Sequence, residues 1–373
     1  MRRLAKSRQS FGIMCGEMTL AIVIPIYNQA RYLRGCLESL VAQTDGDFTA
    51  YCVNDGSTDD SQAIIDEYVA RDARFVAVRQ PNRGVSAARN AGLAAVAERG
   101  GADACLFLDS DDFLHAQCIA FVRRAANEHP GCVIEFDYTS RPSADEFRKR
   151  VYCYDPSGIR PCQSTGTVWN KLYPRSVFGE LRFAEGVHYA EDVVFTTELA
   201  LKRKPRYFRL PVELLFYVAN PNSATHRPLD AENFLRRMVA IERLVRDFAD
   251  DPPGFRALVE GPLPSLLKRY YRDLVHRVRT AEVSTARRVF ACELASLARR
   301  GLLARDRRSF KDIKYYLIFR WLALRYQIFR RASSRGGGGL SFRTRVCQCD
   351  YLCRSDAEVA PSDSSVSFAV SNS

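Results

Sequence analysis

An apolar run that ends in three carboxylates constrains this chain more than any other feature of its sequence. Residues 104–108 are apolar, and Asp109, Asp111 and Asp112 follow within four positions. This pattern is typical of a buried strand that delivers its carboxyl end to a surface crevice. Carboxylates this close repel one another, so a metal ion or a basic neighbour must stabilise their charged forms. The alternative is an acidic turn in which Asp111 or Asp112 caps a helix beginning near Phe113.

Short apolar runs alternate with helical patterns in the first part of the chain. The apolar runs predict strands at 20–26, 48–53, 74–79 and 104–109, and the helical spacing predicts helices at 30–42, 60–71 and 86–98. This alternation favours a parallel sheet with right-handed crossovers, in which ligands bind beyond the carboxyl ends of the strands. We expect four polar loops to converge there: Tyr27-Asn28, Asp55-Gly56-Ser57, Arg83-Gly84 and Asp109-Ser110-Asp111.

Beyond residue 130 the pattern is mixed. A helix opening with Glu191 and Asp192 is predicted, together with strands near 133–138, 150–154 and 205–218. The chain then reads as arginine-rich helices, and from residue 332 it becomes Ser- and Gly-rich and then polar, which predicts disorder. We therefore divide it into an N-terminal extension, an α/β domain, a basic helical region and a tail, with bounds 1–18, 19–225, 226–331 and 332–373.

The net charge of +12 is concentrated in the basic helical region. Residues 231–335 contain 24 Lys and Arg against 11 Asp and Glu, so the rest of the chain is close to neutral. A basic surface implies an anionic partner, either acidic lipid or nucleic acid. Within it, Lys314–Arg331 mixes aromatic and basic residues, as interfacial membrane helices do. The alternative is a helix that packs within the domain.

Composition predicts a cytoplasmic protein that is peripheral at the inner face of the plasma membrane. No run of 18 or more uncharged apolar residues is present, so we expect no spanning helix. Residues 1–17 do not have the pattern of a secretory signal. The twelve cysteines show no paired framework, which indicates a reducing compartment. Cys347, Cys349 and Cys353 lack a nearby histidine or fourth cysteine and make a poor zinc site.

Five motifs in the α/β domain, over roughly residues 19–225, resemble those of family-2 glycosyltransferases with the GT-A fold. Each motif is weak alone, but together they are specific: Ile24-Pro25-Ile26-Tyr27-Asn28, Asn54-Asp55-Gly56-Ser57-Thr58-Asp59, Asn82-Arg83-Gly84-Val85-Ser86-Ala87-Ala88-Arg89-Asn90-Ala91-Gly92, Leu108-Asp109-Ser110-Asp111-Asp112 and Glu191-Asp192-Val193-Val194-Phe195. The resemblance implies a Rossmann-like, mostly parallel sheet flanked by helices. The segment Trp169-Asn170-Lys171-Leu172-Tyr173 is similar to one in bacterial members that build capsule, exopolysaccharide or lipopolysaccharide.

The resemblance assigns a nucleotide site to residues at the strand ends. It implies that Pro25, Tyr27 and Asp55 form the pocket for the base, with Asp55 accepting a hydrogen bond from uracil. Asp109 would contact the ribose, and Arg89 would lie near the nucleotide. The residues alone leave ordinary alternatives open, since Asp55-Gly56 is a common turn and Arg89 could lie on a solvated helix face.

The resemblance also assigns a metal ligand and a base. Asp111 would bind Mn²⁺ or Mg²⁺, and carboxylate oxygens suit both ions. Asp192 would be the catalytic base, with Glu191 as its rival; the alternative is that both are first-turn acids favoured by the helix dipole. Further possible contacts are His226 with the diphosphate or metal, unless it is an ordinary turn histidine, and Trp169 and Lys171 on the acceptor side.

The predicted function is the inverting, metal-dependent transfer of a sugar from a UDP-sugar to a lipid-linked or polysaccharide acceptor in cell-surface glycan synthesis. One displacement assisted by one base predicts inversion at the anomeric carbon. The Q-x-x-R-W motif of processive members is absent, because Arg320-Trp321 lacks the preceding glutamine. A single hexosyl transfer per encounter is therefore expected. The alternatives are nucleotide or nucleic-acid binding without transfer, which the acidic cluster disfavours, and nucleotidyl transfer.

Overall fold

The computed structural model describes residues 18–220, except 142, 163–165 and 188–189, and isolated positions between 240 and 266. The strands are β1 Leu20–Ile26, β2 Phe48–Asp55, β3 Phe75–Gln80, β4 Ala104–Phe107, β5 Phe113–Leu114, β6 Val133–Thr139, β7 Arg160–Pro161, β8 Lys171–Pro174 and β9 Tyr207–Phe216. The α-helices are α1 Ala30–Val41, α2 Ser61–Arg71, α3 Val85–Glu98, α4 Cys118–Glu128, α5 Ala144–Lys149, α6 Arg175–Phe178 and α7 Glu191–Lys202. A single 3₁₀ turn spans Pro156–Gly158.

The described strands form one mixed sheet in the order β3-β2-β1-β4-β8-β6-β9-β5, with β7 paired to β9. The first four strands in this order are parallel to one another. The next strand, β8, runs antiparallel to both β4 and β6, and β6 is parallel to β9. Within the described part, β1 to β4, β6 and β9 therefore point the same way. The predicted α/β class with a mostly parallel sheet is confirmed.

The strand β1 lies inside the sheet and is buried along its whole length. Successive side chains of a strand point to opposite faces. Accordingly, Ile22 and Ile24 join one apolar cluster, with residues of α1, α2 and α4, whereas Ala21 and Val23 join a second, with residues of α3 and α7. Helices therefore cover both faces, which explains why β1 is continuously apolar rather than alternating.

The carboxyl ends of β1, β2 and β4 meet at one edge of the sheet, called here the carboxyl edge. Ile26, the last residue of β1, lies opposite Asn54 of β2. Val23 of β1 lies opposite Phe107, the last residue of β4. The parallel register therefore brings the polar segments that follow these three strands to the same side of the domain.

The alternative in which Asp111 or Asp112 caps a helix beginning near Phe113 is wrong. Residues Phe113–Leu114 form β5, which pairs with β9. The Asp112 carboxylate accepts a hydrogen bond from the backbone N–H of Val218 at 2.8 Å, so it secures the chain after β9 instead of capping a helix.

The strand predicted at 150–154 is also wrong, because side chains rather than a neighbouring strand satisfy its backbone. Gln117 donates to the carbonyl of Tyr152 at 3.1 Å and accepts from its N–H at 2.9 Å. The His115 Nε2 atom lies 2.9 Å from the carbonyl oxygen of Arg150. The predicted strands near 133–138 and 205–218 are confirmed as β6 and β9.

The described positions beyond residue 226 belong to a second unit, Arg227–Ser373. They are mostly helical and include the buried Leu244 and Phe248, and the N–H of Phe248 donates to the carbonyl of Leu244 at 3.3 Å. No helix in the described part of the chain is both long and apolar enough to cross a bilayer. The predicted interfacial segment 314–331 and the three C-terminal cysteines lie outside the described residues.

Close packing of α3 on the sheet predicts the effect of a single methyl group. A Cβ at Gly92 would lie 2.3 Å from Val23 Cγ1 and 3.2 Å from Val53 Cγ2. We expect Gly92→Ala to lower the free energy of unfolding by ~1–3 kcal/mol through overpacking. In the matched control Gly35→Ala, on α1, the Cβ meets only Arg148 Nη2 at 3.9 Å, so alanine should be neutral or stabilising. Urea unfolding measures both, and equal effects would contradict this packing.

Candidate active site

The loops that follow β1 and β2 are tied together by polar side chains. Asn28 takes up a positive φ of 52° and its Oδ1 accepts a hydrogen bond from the N–H of Thr58 at 2.7 Å. Asp59 accepts from the N–H of Ala30 at 2.9 Å and from that of Ser61 at 3.0 Å. These two donors lie at the first residues of α1 and α2. One carboxylate therefore fixes two helix N-termini beside the carboxyl edge.

Asp55 ends β2 and organises the loop before α3. Its side chain is 3% exposed. Its Oδ1 accepts from Gln80 Nε2 at 2.6 Å and from the N–H of Arg83 at 2.9 Å, and its Oδ2 accepts from the N–H of Gly84 at 2.8 Å. These donors occupy three of the about four lone-pair positions of a carboxylate. The Asp55 carboxylate therefore has about one lone-pair position left to accept a hydrogen bond from uracil, and that contact stays a prediction.

Tyr27 and Pro25, the other residues of the predicted base pocket, differ in exposure. Tyr27 follows β1 at the carboxyl edge and is 46% exposed, so its ring is open for stacking on a planar base. Pro25 is buried within β1, opposite Val53 of β2. Of the two, Tyr27 is the side chain that a ligand can reach.

A buried arginine joins the acidic cluster to the helix that carries the predicted base. Arg89 on α3 is 2% exposed. Its Nη2 donates to Asp109 Oδ1 at 2.9 Å and its Nη1 donates to Glu191 Oε1 at 2.9 Å. Burial opposes the charge, but these two carboxylates more than offset it and raise the pKa of Arg89. The solvated-face alternative for Arg89 is therefore wrong, and the arginine is bonded to Asp109, the residue predicted to contact the ribose.

The acidic cluster carries more negative charge than its described neighbours neutralise. Burial and the Asp109 charge raise the pKa of Asp111, whose Oδ2 accepts from Asn220 Nδ2 at 2.9 Å. Burial, with the charges of Asp109 and Asp111, raises the pKa of Asp112 to about 9. Among the described residues, no ion pair forms with Asp111 or Asp112. Asp111 is thus a carboxylate that a bound cation would stabilise.

The donor set around Asp111 suits a metal shared with a ligand. Within the described ranges, no group of three or more His, Cys, Asp or Glu side chains could enclose a metal ion. Mg²⁺ commonly takes one or two protein carboxylates and completes its shell with substrate phosphates and water. Asp111, with its raised pKa and its place at the carboxyl edge, fits this second arrangement.

The first turn of α7 holds both candidate bases. Asp192 accepts from the N–H of Val193 at 2.8 Å. Burial and then the Glu191 charge raise the pKa of Asp192 to about 7, while Arg89 opposes this rise. The Glu191 carboxylate is engaged by Arg89 at 2.9 Å. The arrangement favours Asp192 as the base, because its pKa suits proton uptake near neutral pH and Glu191 is committed to an ion pair.

The two predicted acceptor-side residues lie in different surroundings. Lys171 is fully buried; its Nζ lies 3.1 Å from Glu135 Oε2 and donates to the carbonyl of Thr167 at 2.7 Å. Burial lowers the pKa of Lys171. In this structure its ammonium is closed to solvent and therefore to an acceptor. Trp169 is partly exposed and contacts other aromatic rings. His226 lies outside the described residues.

Two residues that shape the site were missed by the sequence analysis. Gln80 ends β3 next to Asp55 and hydrogen-bonds to it. The parallel strand register could have revealed this pair. Asn220, which is 2% exposed, hydrogen-bonds to Asp111 across 109 positions of sequence. No local signal points to a contact of that range.

Comparisons with known proteins agree on the family and the fold. Residues 21–183 match the sequence model of the family described as "Glycosyl transferase family 2". The chain is 30% identical over 223 residues to the "Uncharacterized glycosyltransferase EpsJ" of Bacillus subtilis, covering 56% of this chain and 63% of EpsJ. It is 34% identical over 168 residues to the "Putative glycosyltransferase EpsH" of the same organism, covering 42% of this chain and 47% of EpsH. The chain thus spans less than two thirds of either relative.

A solved structure shows the same fold. The crystal structure of S. aureus TarS residues 1–349 in complex with UDP-GlcNAc superposes with a TM-score of 0.60 at 16% identity, covering 84% of this chain and 92% of that one. At this identity the likeness establishes the architecture, and it agrees with the GT-A sheet expected from the motifs.

The buried arginine gives a stability prediction. Arg89→Met is expected to lower the free energy of unfolding by about 3 kcal/mol or more, because Asp109 and Glu191 lose their shared partner. Arg83→Met is the matched control: it removes an ion pair with Glu185 whose side chains are 58% and 44% exposed, and should cost no more than ~1 kcal/mol. Denaturant unfolding of both variants is the measurement. Similar losses in the two would contradict the role given to Arg89.

Proposed function

We propose that this chain transfers a sugar from a nucleotide sugar to an acceptor hydroxyl, because residues 21–183 match the model of glycosyl transferase family 2. The observation that carries the proposal is the Arg89 bridge. It brings Asp109, at the end of β4, and Glu191, beside the candidate base, to one guanidinium. TarS, which shares the fold, binds UDP-GlcNAc, so a UDP-sugar is the donor class that we propose.

The nucleotide would bind across the carboxyl ends of β1, β2 and β4. The exposed Tyr27 ring would stack on the base, and the last acceptor position of Asp55 would select it. Asp109 retains a partly exposed carboxylate, at 30% of its side chain, that would accept from a ribose hydroxyl. Arg89 holds Asp109 in place through its hydrogen bond to Oδ1.

Asp111 would hold the Mn²⁺ or Mg²⁺ ion that we propose as cofactor. When bound, such an ion neutralises the charge of the leaving diphosphate. Its neighbour Asn220 fixes the orientation of the carboxylate through the 2.9 Å hydrogen bond to Oδ2. Asp112 would not bind the ion, because its carboxylate accepts a hydrogen bond from the N–H of Val218 and so holds the chain after β9 beside Asp111.

Asp192 would act as the base in an inverting displacement. Its carboxylate takes the proton of the acceptor hydroxyl while that oxygen bonds to the anomeric carbon and the diphosphate leaves with the bonding electrons. Glu191 would have a positioning role, because its ion pair with Arg89 anchors the first turn of α7. Arg89 thus fixes both the loop after β4, which would align the donor, and the first turn of α7, which carries the base that removes the proton.

The acceptor that we propose is a lipid-linked or surface polysaccharide hydroxyl. The support is the resemblance of the Trp169–Tyr173 segment and the basic composition of residues 231–335, which suits an anionic membrane surface. The protein would then work at the inner face of the membrane and add one sugar per encounter.

Transfer chemistry is tested by nucleotide release. Full-length protein with Mn²⁺ should release UDP from at least one UDP-sugar when lipid extract or simple glycosides are offered as acceptors. Asp192→Asn should reduce this rate about 10²–10⁴-fold. The control Asp66→Asn, whose carboxylate pairs with Arg79 on the surface, should retain it. Release of pyrophosphate instead of UDP, or full activity in Asp192→Asn, would overturn the assignment.

The raised pKa of Asp192 predicts a pH dependence. Since the base must be ionised, kcat/KM should rise with pH to a plateau, with an apparent pKa of about 7. The folded state binds this proton more tightly than the unfolded chain, whose aspartates titrate near 3.9. The carboxyl therefore lowers stability progressively as pH rises from about 4 to 7, and Asp192→Asn should remove that component. A kcat/KM that is flat across this range would count against Asp192.

A further inference from the structure

Three aromatic side chains, Tyr138, Trp169 and Tyr217, form an open cluster that is called here the aromatic platform. The centroids of Tyr138 and Trp169 lie 4.7 Å apart with rings at 81°. Trp169 and Tyr217 lie 6.1 Å apart and are stacked at 30°, and Tyr138 and Tyr217 lie 6.5 Å apart. Tyr138 is 50% exposed and the other two rings are half-buried. Exposed aromatic clusters of this kind commonly mark binding surfaces.

The platform lies at the carboxyl edge, where the acidic cluster also lies. Leu172 of β8 faces Leu106 of β4 in an antiparallel pair. Trp169, just before β8, therefore emerges on the side where Asp109 follows β4. Tyr138 lies near the carboxyl end of β6, which points the same way as β4.

The third ring is linked directly to the acidic cluster through the chain after β9. The backbone N–H of Tyr217 donates to the carbonyl of Thr139 at 2.8 Å. The next residue, Val218, donates its N–H to Asp112, and Asn220 donates to Asp111. Any molecule resting on the platform is thus adjacent to the group that would hold the metal and diphosphate.

The geometry of the rings suits a sugar. The rings of Trp169 and Tyr217 are inclined by 30° to each other, and the Tyr138 ring is inclined by 81° to Trp169 and by 63° to Tyr217, so the cluster offers ring faces in two directions. The apolar C–H face of a pyranose packs against the negatively polarised face of an aromatic ring. The hydroxyl of Tyr138, which is 50% exposed, can bond a hydroxyl of the sugar.

Charge argues against an anionic lipid surface as the occupant. Asp109 and Asp111 lie on the same edge and would repel phosphate headgroups that approached the platform. A pyranose without charge suffers no such repulsion. The exposed Tyr27 ring, by contrast, follows β1 and lies on the proposed nucleotide side.

We propose that the aromatic platform is the acceptor subsite and that it takes a neutral pyranose ring of the acceptor glycan. Its part in catalysis rests on the proposed transferase function, whereas its ability to bind a pyranose does not. The proposal adds Tyr138 and Tyr217 to the site and replaces Lys171 as the partner of Trp169.

The chain contains two tryptophans, so Trp321→Phe leaves Trp169 as the sole indole reporter. Full-length Trp321→Phe protein would be titrated with methyl pyranosides of glucose, galactose and N-acetylglucosamine, and with short oligosaccharides of these sugars. We expect at least one to change the Trp169 emission saturably, while mannitol, an open-chain polyol without a ring face, does not. Tyr138→Ala and Tyr217→Ala should each weaken that binding about tenfold. The surface control Asp66→Asn, on α2, should leave it unchanged.

Circular dichroism confirms that each variant is folded before it is titrated. The proposal is overturned if no saccharide differs from mannitol, or if phosphatidylglycerol vesicles change the emission and saccharides do not. The two proposals fail separately. Saccharide binding without UDP release would contradict the proposed transferase function and support the aromatic platform as a saccharide site. UDP release without saccharide binding would contradict only the proposal for the aromatic platform.

Discussion

The site depends on one buried cation with two carboxylate partners. A guanidinium that is 2% exposed is stable only where its charge is compensated, and Arg89 has Asp109 and Glu191 for this purpose. Asp109 lies 20 positions away in sequence and Glu191 lies 102 away. The two ion pairs therefore fix three elements to one another: the helix α3, the loop after β4 and the first turn of α7. Moving any of these elements would leave a buried charge without its partner.

Arg89 pairs with Asp109 and Glu191 but with neither Asp111, Asp112 nor Asp192. Burial and the neighbouring carboxylates raise the pKa of Asp112 to about 9 and the pKa of Asp192 to about 7. Asp111 has a raised pKa and an amide partner in Asn220. A divalent cation would stabilise the charged form of Asp111, and the pKa of about 7 allows Asp192 to take up a proton near neutral pH.

The sequence predicted the architecture well where its signals are local and repeated. The continuous apolar run of β1, the alternation with helices and the polar residues at the strand ends were enough to place four parallel strands and their shared edge. It could not show that Arg89 is buried, because a helix position reveals its partners only after α7 has packed against it. The predicted acceptor-side position of Lys171 and the predicted strand at 150–154 differ from the structure for the same reason. The partner of Lys171 is Glu135, and the partners of the backbone at 150–152 are Gln117 and His115, all of which are distant in sequence.

A crystal structure of the full chain grown with UDP and Mn²⁺, with the anomalous signal of manganese recorded, tests the central claim most directly. The account predicts an anomalous peak against the carboxylate of Asp111, the uracil against Tyr27 and Asp55, and Arg89 still bonded to both Asp109 and Glu191. A nucleotide bound away from this edge, or an Arg89 released from Glu191 to contact the diphosphate itself, would contradict it.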